Sequence, residues 1–409
     1  MGPGADFDGD GTDDFLVGAP FFAVIGAAHA FSGADGSTLF TFYGSSAPES
    51  FGGEVTALCD VSMDGVPDML VGAPDFPQGL FSGQGYAAIY SGATGALVDQ
   101  VIPPLFGYIS FGGALARFKD VTGDGICDFA VAARGVNLGA GQIRVYSGVD
   151  RSLVTTLDGA YPGWLGDVMA SGGDVDGDGV EDLIAGAPYA PPLVPNVGAA
   201  GRAIVYSGAD WSVLFEFAPP AGELLEFGRG VDVVGDVNGD GFPDLAVGAA
   251  GAYNQPNCKV RVFSGAPIGV ASDGLGCAGS SGSPPRIGAT RSPKIGTTFK
   301  VNLSETPPGL PALLLLGFSD TQWWGVPLPL NLAPQGMPAC SLLVSPDLVF
   351  GLTTAAFGPG NGRLVAPIAI PASSSLVGLA FYTQWYVVDP GPAPIPGAMT
   401  RGLAVTIQS

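Results

Sequence analysis

Asp6-Phe7-Asp8-Gly9-Asp10-Gly11-Thr12-Asp13-Asp14, followed at once by Phe15-Leu16-Val17-Gly18-Ala19-Pro20, decides how this chain is read. Carboxylates stand at loop positions 1, 3, 5 and 9, with glycine at position 6. Alternate residues of a tightly turning loop point at one centre, and the glycine permits the turn that closes it. Carboxylates crowded this closely around nothing repel one another by several kcal/mol, so the loop reads as a site for a hard, oxygen-seeking cation such as calcium.

Four more copies follow. They run Asp60–Asp68, Asp120–Asp128, Asp174–Asp182 and Asp236–Asp244, with starts separated by 54, 60, 54 and 62 residues. A repeat at that period is the first fact about the fold. In the second repeat a strand opens at Phe51-Gly52 and runs through Val55 and Leu58 into the loop. Met69–Pro74 reads as a short, fully buried strand, Tyr86–Gly92 as a third and Leu97–Ile102 as a fourth. Four strands per repeat predict a propeller blade, and the chain as a whole is all-β. Phe51, Phe111, Leu165 and Phe227 each precede their loop by nine residues and each is followed by glycine. From the first Asp to Gly18, Gly72, Ala132, Gly186 or Gly248 is always twelve. Beyond that the distance to the next Ser-Gly varies from 26 to 33 residues past the first Asp, so insertions collect between the second and third strands. Such loops gather on one face of a repeat fold, often the binding face.

Phe-Gly, the Asp-rich loop and Gly-Ala-Pro, in this order over about residues 1–265, resemble the FG-GAP repeat of integrin α-chain β-propellers. The resemblance implies calcium in each loop, held by side chains at positions 1, 3, 5 and 9 and the backbone carbonyl at 7. Carried over, the first set is Asp6, Asp8, Asp10, the Thr12 carbonyl and Asp14. The second is Asp60, Ser62, Asp64, the Val66 carbonyl and Asp68; the third is Asp120, Thr122, Asp124, the Ile126 carbonyl and Asp128. The fourth is Asp174, Asp176, Asp178, the Val180 carbonyl and Asp182; the fifth is Asp236, Asn238, Asp240, the Phe242 carbonyl and Asp244. Up to five calcium ions are therefore expected. Ser62 and Thr122 replace a carboxylate, and these two sites are expected to bind more weakly. Ala132-Ala133-Arg134 and Leu165-Gly166 each break a signature once. An EF-hand is excluded, because position 12 is Val17, Val71, Val131, Ala185 or Val247 in place of Glu. The first repeat lacks its Phe-Gly strand and the fifth has no clear fourth strand, which fits either five blades or the tail of a seven-bladed ring.

Of 409 residues, 66 are glycine and 36 proline, while 47% are apolar, a balance that suits short strands and tight turns. Nineteen of the 37 acids behind the net charge of −22 lie in the five loops. The acidity is mostly site chemistry and argues against nucleic acid as a partner. No apolar run reaches the ~20 residues of a membrane helix. Calcium at millimolar level points to a secreted or cell-surface location, with Met1 read as a boundary and the signal peptide truncated. Cys277 and Cys340 are candidates for one disulfide; Cys59, Cys127 and Cys258 read as small buried thiols.

Residues 266–296 read as a Gly/Ser/Pro linker and 297–409 as a β-sandwich or jelly-roll of about eight short strands. Leu313–Thr321, Pro327–Leu332 and Phe381–Pro390 carry a resemblance to C-terminal domains that trail repeat arrays in secreted bacterial proteins. Trp323, Trp324, Tyr382, Trp385 and Tyr386 read as core, with a sugar platform as the rival reading. His29, the single histidine, reads as a strand-face residue, and Arg144 and Arg261 as solvated or inter-blade groups. With one histidine, no phosphate loop and its acids absorbed in the loops, the chain is not expected to be an enzyme. The expected function is a calcium-braced module for adhesion or protein binding. A calcium-dependent lectin and a non-catalytic accessory region of a larger secreted enzyme are the alternatives.

Overall fold

Runs such as Met69–Ala73 and Phe129–Ala133, five residues apolar on both faces, form strands buried along their whole length. The computed structural model describes residues 4–46, 49–75, 84–103, 110–191, 200–220, 226–250, 258–279, 282–337, 339–356, 362–389 and 397–409. These group into two compact units. The first comprises Met1–Gly172, Glu181–Val233 and Leu245–Phe263; the second comprises Gly173–Val180, Val234–Asp244 and Ser264–Ser409.

The repeats make five antiparallel sheets. The first is β1 (Phe15–Ala19), β2 (Ala27–Phe31) and β3 (Thr38–Tyr43), three strands as the missing Phe-Gly segment predicts. The second is β4 (Val55–Ala57), β5 (Met69–Ala73), β6 (Tyr86–Tyr90) and β7 (Leu97–Val101). The third is β8 (Phe111–Arg117), β9 (Phe129–Ala133), β10 (Gln142–Tyr146) and β11 (Leu153–Asp158). The fourth is β12 (Met169–Gly173), β13 (Asp182–Ala187), β14 (Arg202–Tyr206) and β15 (Val213–Phe217). The fifth is β16 (Phe227–Gly235), β17 (Asp244–Ala249) and β18 (Lys259–Phe263), again three strands. In the four later sheets each Asp-rich loop joins the first strand to the second, and in the first sheet the loop leads directly into β1. The insertion segments 76–83, 192–199 and 251–257 lie outside the described residues.

Within the first unit the two signature motifs interlock. The Gly52 N–H donates to the Gly72 carbonyl of its own blade at 2.9 Å. Its carbonyl presses on Gly18 of the preceding blade, 2.0 Å from where a Cβ would stand. Gly72 meets the Gly112 carbonyl at 2.1 Å and Gly186 the Gly228 carbonyl at 2.0 Å in the same sense. Parallel bridges Gly26–Phe51, Gly85–Phe111, Gly141–Leu165 and Gly201–Phe227 extend the seam. Phe51, Phe111, Leu165 and Phe227 are buried along it. Between the third and fourth blades Ala132 takes the glycine's place and faces Gly166, where an added Cβ would lie 2.7 Å from the Ala132 methyl.

Cys59 and Cys127 are not separate buried thiols but a disulfide, with Cα atoms 5.9 Å apart. One precedes its loop and the other sits at position 8 of the next, so adjacent blades set them side by side. Cys277 pairs with Cys340, and Cys258 is exposed and free.

In the second unit, β19 (Val270–Asp273) and β20 (Arg286–Thr290) occupy the stretch expected as linker; Ser280 and Ser281 lie outside the described residues. Both strands are short and embedded in Gly and Pro, which hid them, and both gain partners beyond their own segment. After β20 come β21 (Thr298–Thr306), β22 (Pro311–Gly317), β23 (Gln322–Trp323), β24 (Val326–Pro327), β25 (Leu330–Asn331) and β26 (Ser341–Leu342). The last are β27 (Leu348–Thr353), β28 (Ala355–Ala356), β29 (Gly362–Ala369), β30 (Ala380–Val388), β31 (Gly397–Met399) and β32 (Gly402–Thr406). One sheet runs β19-β32-β30-β22-β27 with β31 on β30, and another β20-β21-β29-β28. Phe299, Val301 and Leu303 from one and Leu314, Phe381, Trp385 and Val405 from the other share a single core. Trp385 is wholly buried there; Trp323, Tyr382 and Tyr386 pack on a second cluster around Cys277 and Cys340. Trp324 alone of the five aromatics stands out, 91% exposed.

Gly72→Ala should destabilise the chain by about 1–3 kcal/mol, since its methyl must displace backbone of the next blade. Urea unfolding measures this, and an unchanged midpoint would refute the interlock.

Candidate metal centres

Each loop is built around its first carboxylate, which collects the N–H groups of the turn. Asp6 accepts from Gly9 (2.7 Å), Asp10 (3.1 Å) and Gly11 (2.9 Å). Asp120 accepts from Gly123 (2.6 Å), Asp124 (3.0 Å) and Gly125 (2.7 Å). Asp60, Asp174 and Asp236 do the same in their loops. The position-6 glycines adopt positive φ throughout, from 86° at Gly11 to 97° at Gly65, as the tight turn requires.

The position-9 carboxylates Asp14, Asp68, Asp128, Asp182 and Asp244 are all buried. They tie the loop to the rest of the blade. Asp14 accepts from Phe7 N at 2.7 Å and Gly33 N at 2.9 Å. Asp68 accepts from Ser62 N (2.6 Å) and Gly92 N (3.2 Å), Asp128 from Gly148 N (3.0 Å), and Asp182 from Gly208 N (2.9 Å). Those glycines belong to the Ser-Gly turn after the third strand. Its serines reach the loop as well: Ser91 donates to Asp64 at 2.7 Å, Ser147 to Asp124 at 3.0 Å and Ser264 to Asp240 at 2.7 Å. A Cβ on Gly92 would lie 1.8 Å from the Pro67 carbonyl, so only glycine lets the turn approach. In the sequence this Ser-Gly pair marks only a spacing, and its part in the loop goes unread. Its recurrence at the end of a strand in every repeat was the available signal.

Three loops bring carboxylates together within 4.8 Å: Asp6, Asp8 and Asp10; Asp60, Asp64 and Asp68; and, within the second unit, Asp174 and Asp176. At position 3, Ser62 Oγ donates to Asp68 Oδ1 at 3.1 Å and Thr122 Oγ1 to Asp120 Oδ1 at 3.4 Å. Asn238 Nδ2 donates to Asp240 at 3.0 Å and Asp244 at 3.2 Å. Burial first, and neighbouring charge behind it, shifts the titration of several of these groups. Desolvation, with Asp10, Asp14 and Asp6 adding repulsion, raises Asp8, and desolvation raises Asp68 and Asp128 against their N–H donors. Burial pushes Asp174 up to about 6, opposed by Arg286, and burial with repulsion from Asp178 and Asp174 holds Asp176 well above the usual range. Asp64 is lowered, first by the Ser91 hydroxyl. The donors are oxygens only, and their crowding favours a divalent cation with hard-ligand preference; these loops fit calcium chemistry.

Other groups do not join the loops. His29 Nδ1 contacts Thr41 Oγ1 at 3.1 Å on its strand. Arg144 is buried beside Tyr146, which removes the solvated half of the solvated-or-inter-blade expectation for it; Arg261 is half-buried. Arg134, where three other blades carry proline, pairs with buried Asp167 at 2.9 Å, and Arg229 holds the other oxygen at 2.7 Å. First strands of four blades line a cavity of about 470 Å³ that includes Glu54, Arg117, Glu181 and Asp232. Burial raises the Glu54 carboxyl there.

Interlocked blades with an Asp loop after each first strand define an FG-GAP-type β-propeller, and residues 166–206 and 227–265 match the FG-GAP repeat family. The chain thus carries FG-GAP repeats and is similar to integrin α chains. It is 29% identical over 225 residues to integrin alpha-5 of Xenopus laevis, covering 51% of this chain and 21% of that protein. It is 31% identical over 198 residues to integrin alpha-V of Gallus gallus, covering 44% of this chain and 19% of that one. The chain therefore spans about a fifth of the length of the curated relatives it matches. Among solved structures, rhamnogalacturonan lyase YesW aligns with a TM-score of 0.38 and 15% identity over 64% of this chain and 48% of that one.

Asp68→Ala should cost about 1–3 kcal/mol even in EDTA, because buried N–H groups of Ser62 and Gly92 lose their acceptor. Exposed Asp64→Ala should cost little in EDTA and show its effect only when calcium is added. Urea titrations of both variants, with and without calcium, test this; equal losses in EDTA would refute the division of roles.

Proposed function

We propose that the chain is a calcium-braced β-propeller module that binds a protein partner in adhesion, secreted or displayed at a cell surface and without catalytic activity. The ligands are the side chains and carbonyls named above for the five loops, one calcium ion to each loop, with residues 1–265 as the repeat domain. When bound, calcium supplies countercharge to the crowded carboxylates; the chain's own N–H groups and Ser-Gly turns hold those carboxylates in place. Two disulfides suit an oxidising compartment. Among the described residues no helix is long and apolar enough to cross a membrane.

The observation that carries this reading is where the exposed apolar groups stand. Phe21 (90%) and Leu138 (97%) project from the loops between second and third strands of blades 1 and 3. Each cation loop lies at the opposite end of the second strand, roughly 16 Å away for five residues. The ion therefore braces the blade from the far end, and the apolar loops are free to meet a partner.

Calcium at a hundredfold excess over its dissociation constant should add about 2.7 kcal/mol for each occupied site, raising the melting temperature well above that in EDTA. Indifference to EDTA would overturn the calcium assignment. Immobilised chain should support attachment of cells or extracellular proteins, and Phe21→Ser with Leu138→Ser should abolish it while the melt is preserved. Undiminished attachment by that variant would overturn the proposed face, and binding confined to a glycan array would select a lectin instead.

A further inference from the structure

The fourth loop differs from its sisters in what surrounds it. At positions 3 and 5 the first loop exposes Asp8 and Asp10, and the third exposes Thr122 and Asp124. In the fourth, Asp176 and Asp178 are only 2% and 6% exposed. What buries them in the second unit is the sheet of β20 and β21, and it does so with directed polar contacts.

Thr290 Oγ1, at the end of β20, donates to Asp176 Oδ2 at 2.9 Å. The same hydroxyl accepts from Asn302 Nδ2 of β21 at 2.7 Å, and that amide also donates to the Asp176 carbonyl at 3.0 Å. Ser304 Oγ donates to the Gly177 carbonyl at 3.3 Å, and Arg286 Nη2 to the Asp174 carbonyl at 2.9 Å. The Asn302 carbonyl in turn accepts from Nε1 of Trp385 at 3.0 Å, in the heart of the core. The two backbones touch: a Cβ on Gly288 would lie 2.2 Å from the Asp176 carbonyl, and one on Gly177 would lie 2.5 Å from the Gly288 Cα. Countercharge comes from the same side, with Arg286 3.6 Å from Asp174 and Arg363 4.0 Å from Asp178.

From this geometry we infer that β20 and β21 are the outer shell of the fourth cation site, with Thr290 as a positioning residue for Asp176. Cation uptake by that loop and ordering of the β20–β21 sheet are then one linked equilibrium. The inference rests on the calcium reading of the loops proposed above. A ligand whose carboxylate is oriented by a second hydroxyl loses affinity when that hydroxyl is removed, because the oxygen must be ordered anew on binding. Proteins whose metal ligands are held by a separate element also show metal binding in the stability of that element.

Hydrogen–deuterium exchange on the full chain, in calcium and in EDTA, decides this. Calcium should slow exchange over residues 286–304 together with residues 174–182, as well as over the first three loops. Thr290→Val should weaken the calcium response of residues 174–182 about tenfold in calcium concentration, leave the first three loops unchanged, and be rescued by Thr290→Ser. A calcium response in the first three loops with none in residues 286–304, or an unshifted response in Thr290→Val, overturns the inference alone. No calcium response in any loop overturns the calcium reading and the inference with it. Should Thr290→Val fail to fold, exchange of wild-type residues 286–304 with and without calcium still decides between these outcomes.

Discussion

Everything in the repeat region depends on backbone meeting backbone at the Phe-Gly and Gly-Ala-Pro positions. The Gly52 carbonyl occupies the place a side chain would take on Gly18, while its N–H is engaged by Gly72 of its own sheet. A contact this close has almost no adjustable part. It fixes the offset between consecutive sheets, and with it the place of each loop that follows nine residues after the phenylalanine. The invariant spacings of the sequence are the shadow of that contact, since an insertion anywhere between the two motifs would pull the seam apart.

The Asp-rich loops use the same economy. In each, one carboxylate gathers the turn and another, buried, ties the loop to the strands around it. In the first four loops that second carboxylate reaches the Ser-Gly corner after the third strand. A loop so anchored at both ends is arranged before any ion arrives, which lowers the ordering that binding must bring about. Carboxylates at positions 1, 5 and 9 are uniform across the repeats, and each accepts backbone N–H groups, while position 3 drifts to Ser62, Thr122 or Asn238. The carboxylates at positions 1 and 9 each hold two or more backbone N–H groups in the first loop, whereas position 3 holds at most the single N–H of position 5, as Asp8 and Asn238 do.

Much of this was legible in the sequence. The second repeat predicts a strand from Phe51 through Leu58 and others at 69–74, 86–92 and 97–102; the last three match observed strands closely, while the first is observed only over Val55–Ala57. Local information suffices there, because a buried strand and a tight turn are written in consecutive residues. What escaped was decided by partners outside the segment. Val270–Asp273 and Arg286–Thr290 look like linker until β32 and β21 pair with them. Cys59 and Cys127, 68 residues apart, look like separate thiols until consecutive blades bring them together. The sequence leaves Arg144 open between a solvated and an inter-blade place, and the structure buries it; the unusual burial of the fourth loop depends on a sheet more than a hundred residues away.

The bond between Cys59 and Cys127 changes what kind of object the array is. A string of repeats held only by nearest-neighbour contacts frays from its ends, one unit after another, because each junction can open independently. Here the second and third blades are joined covalently across their junction, so an unravelling front that reaches either of them must release both or stop. Under tension the two behave as one block of doubled length, with the bridge carrying load that would otherwise fall on the glycine seam.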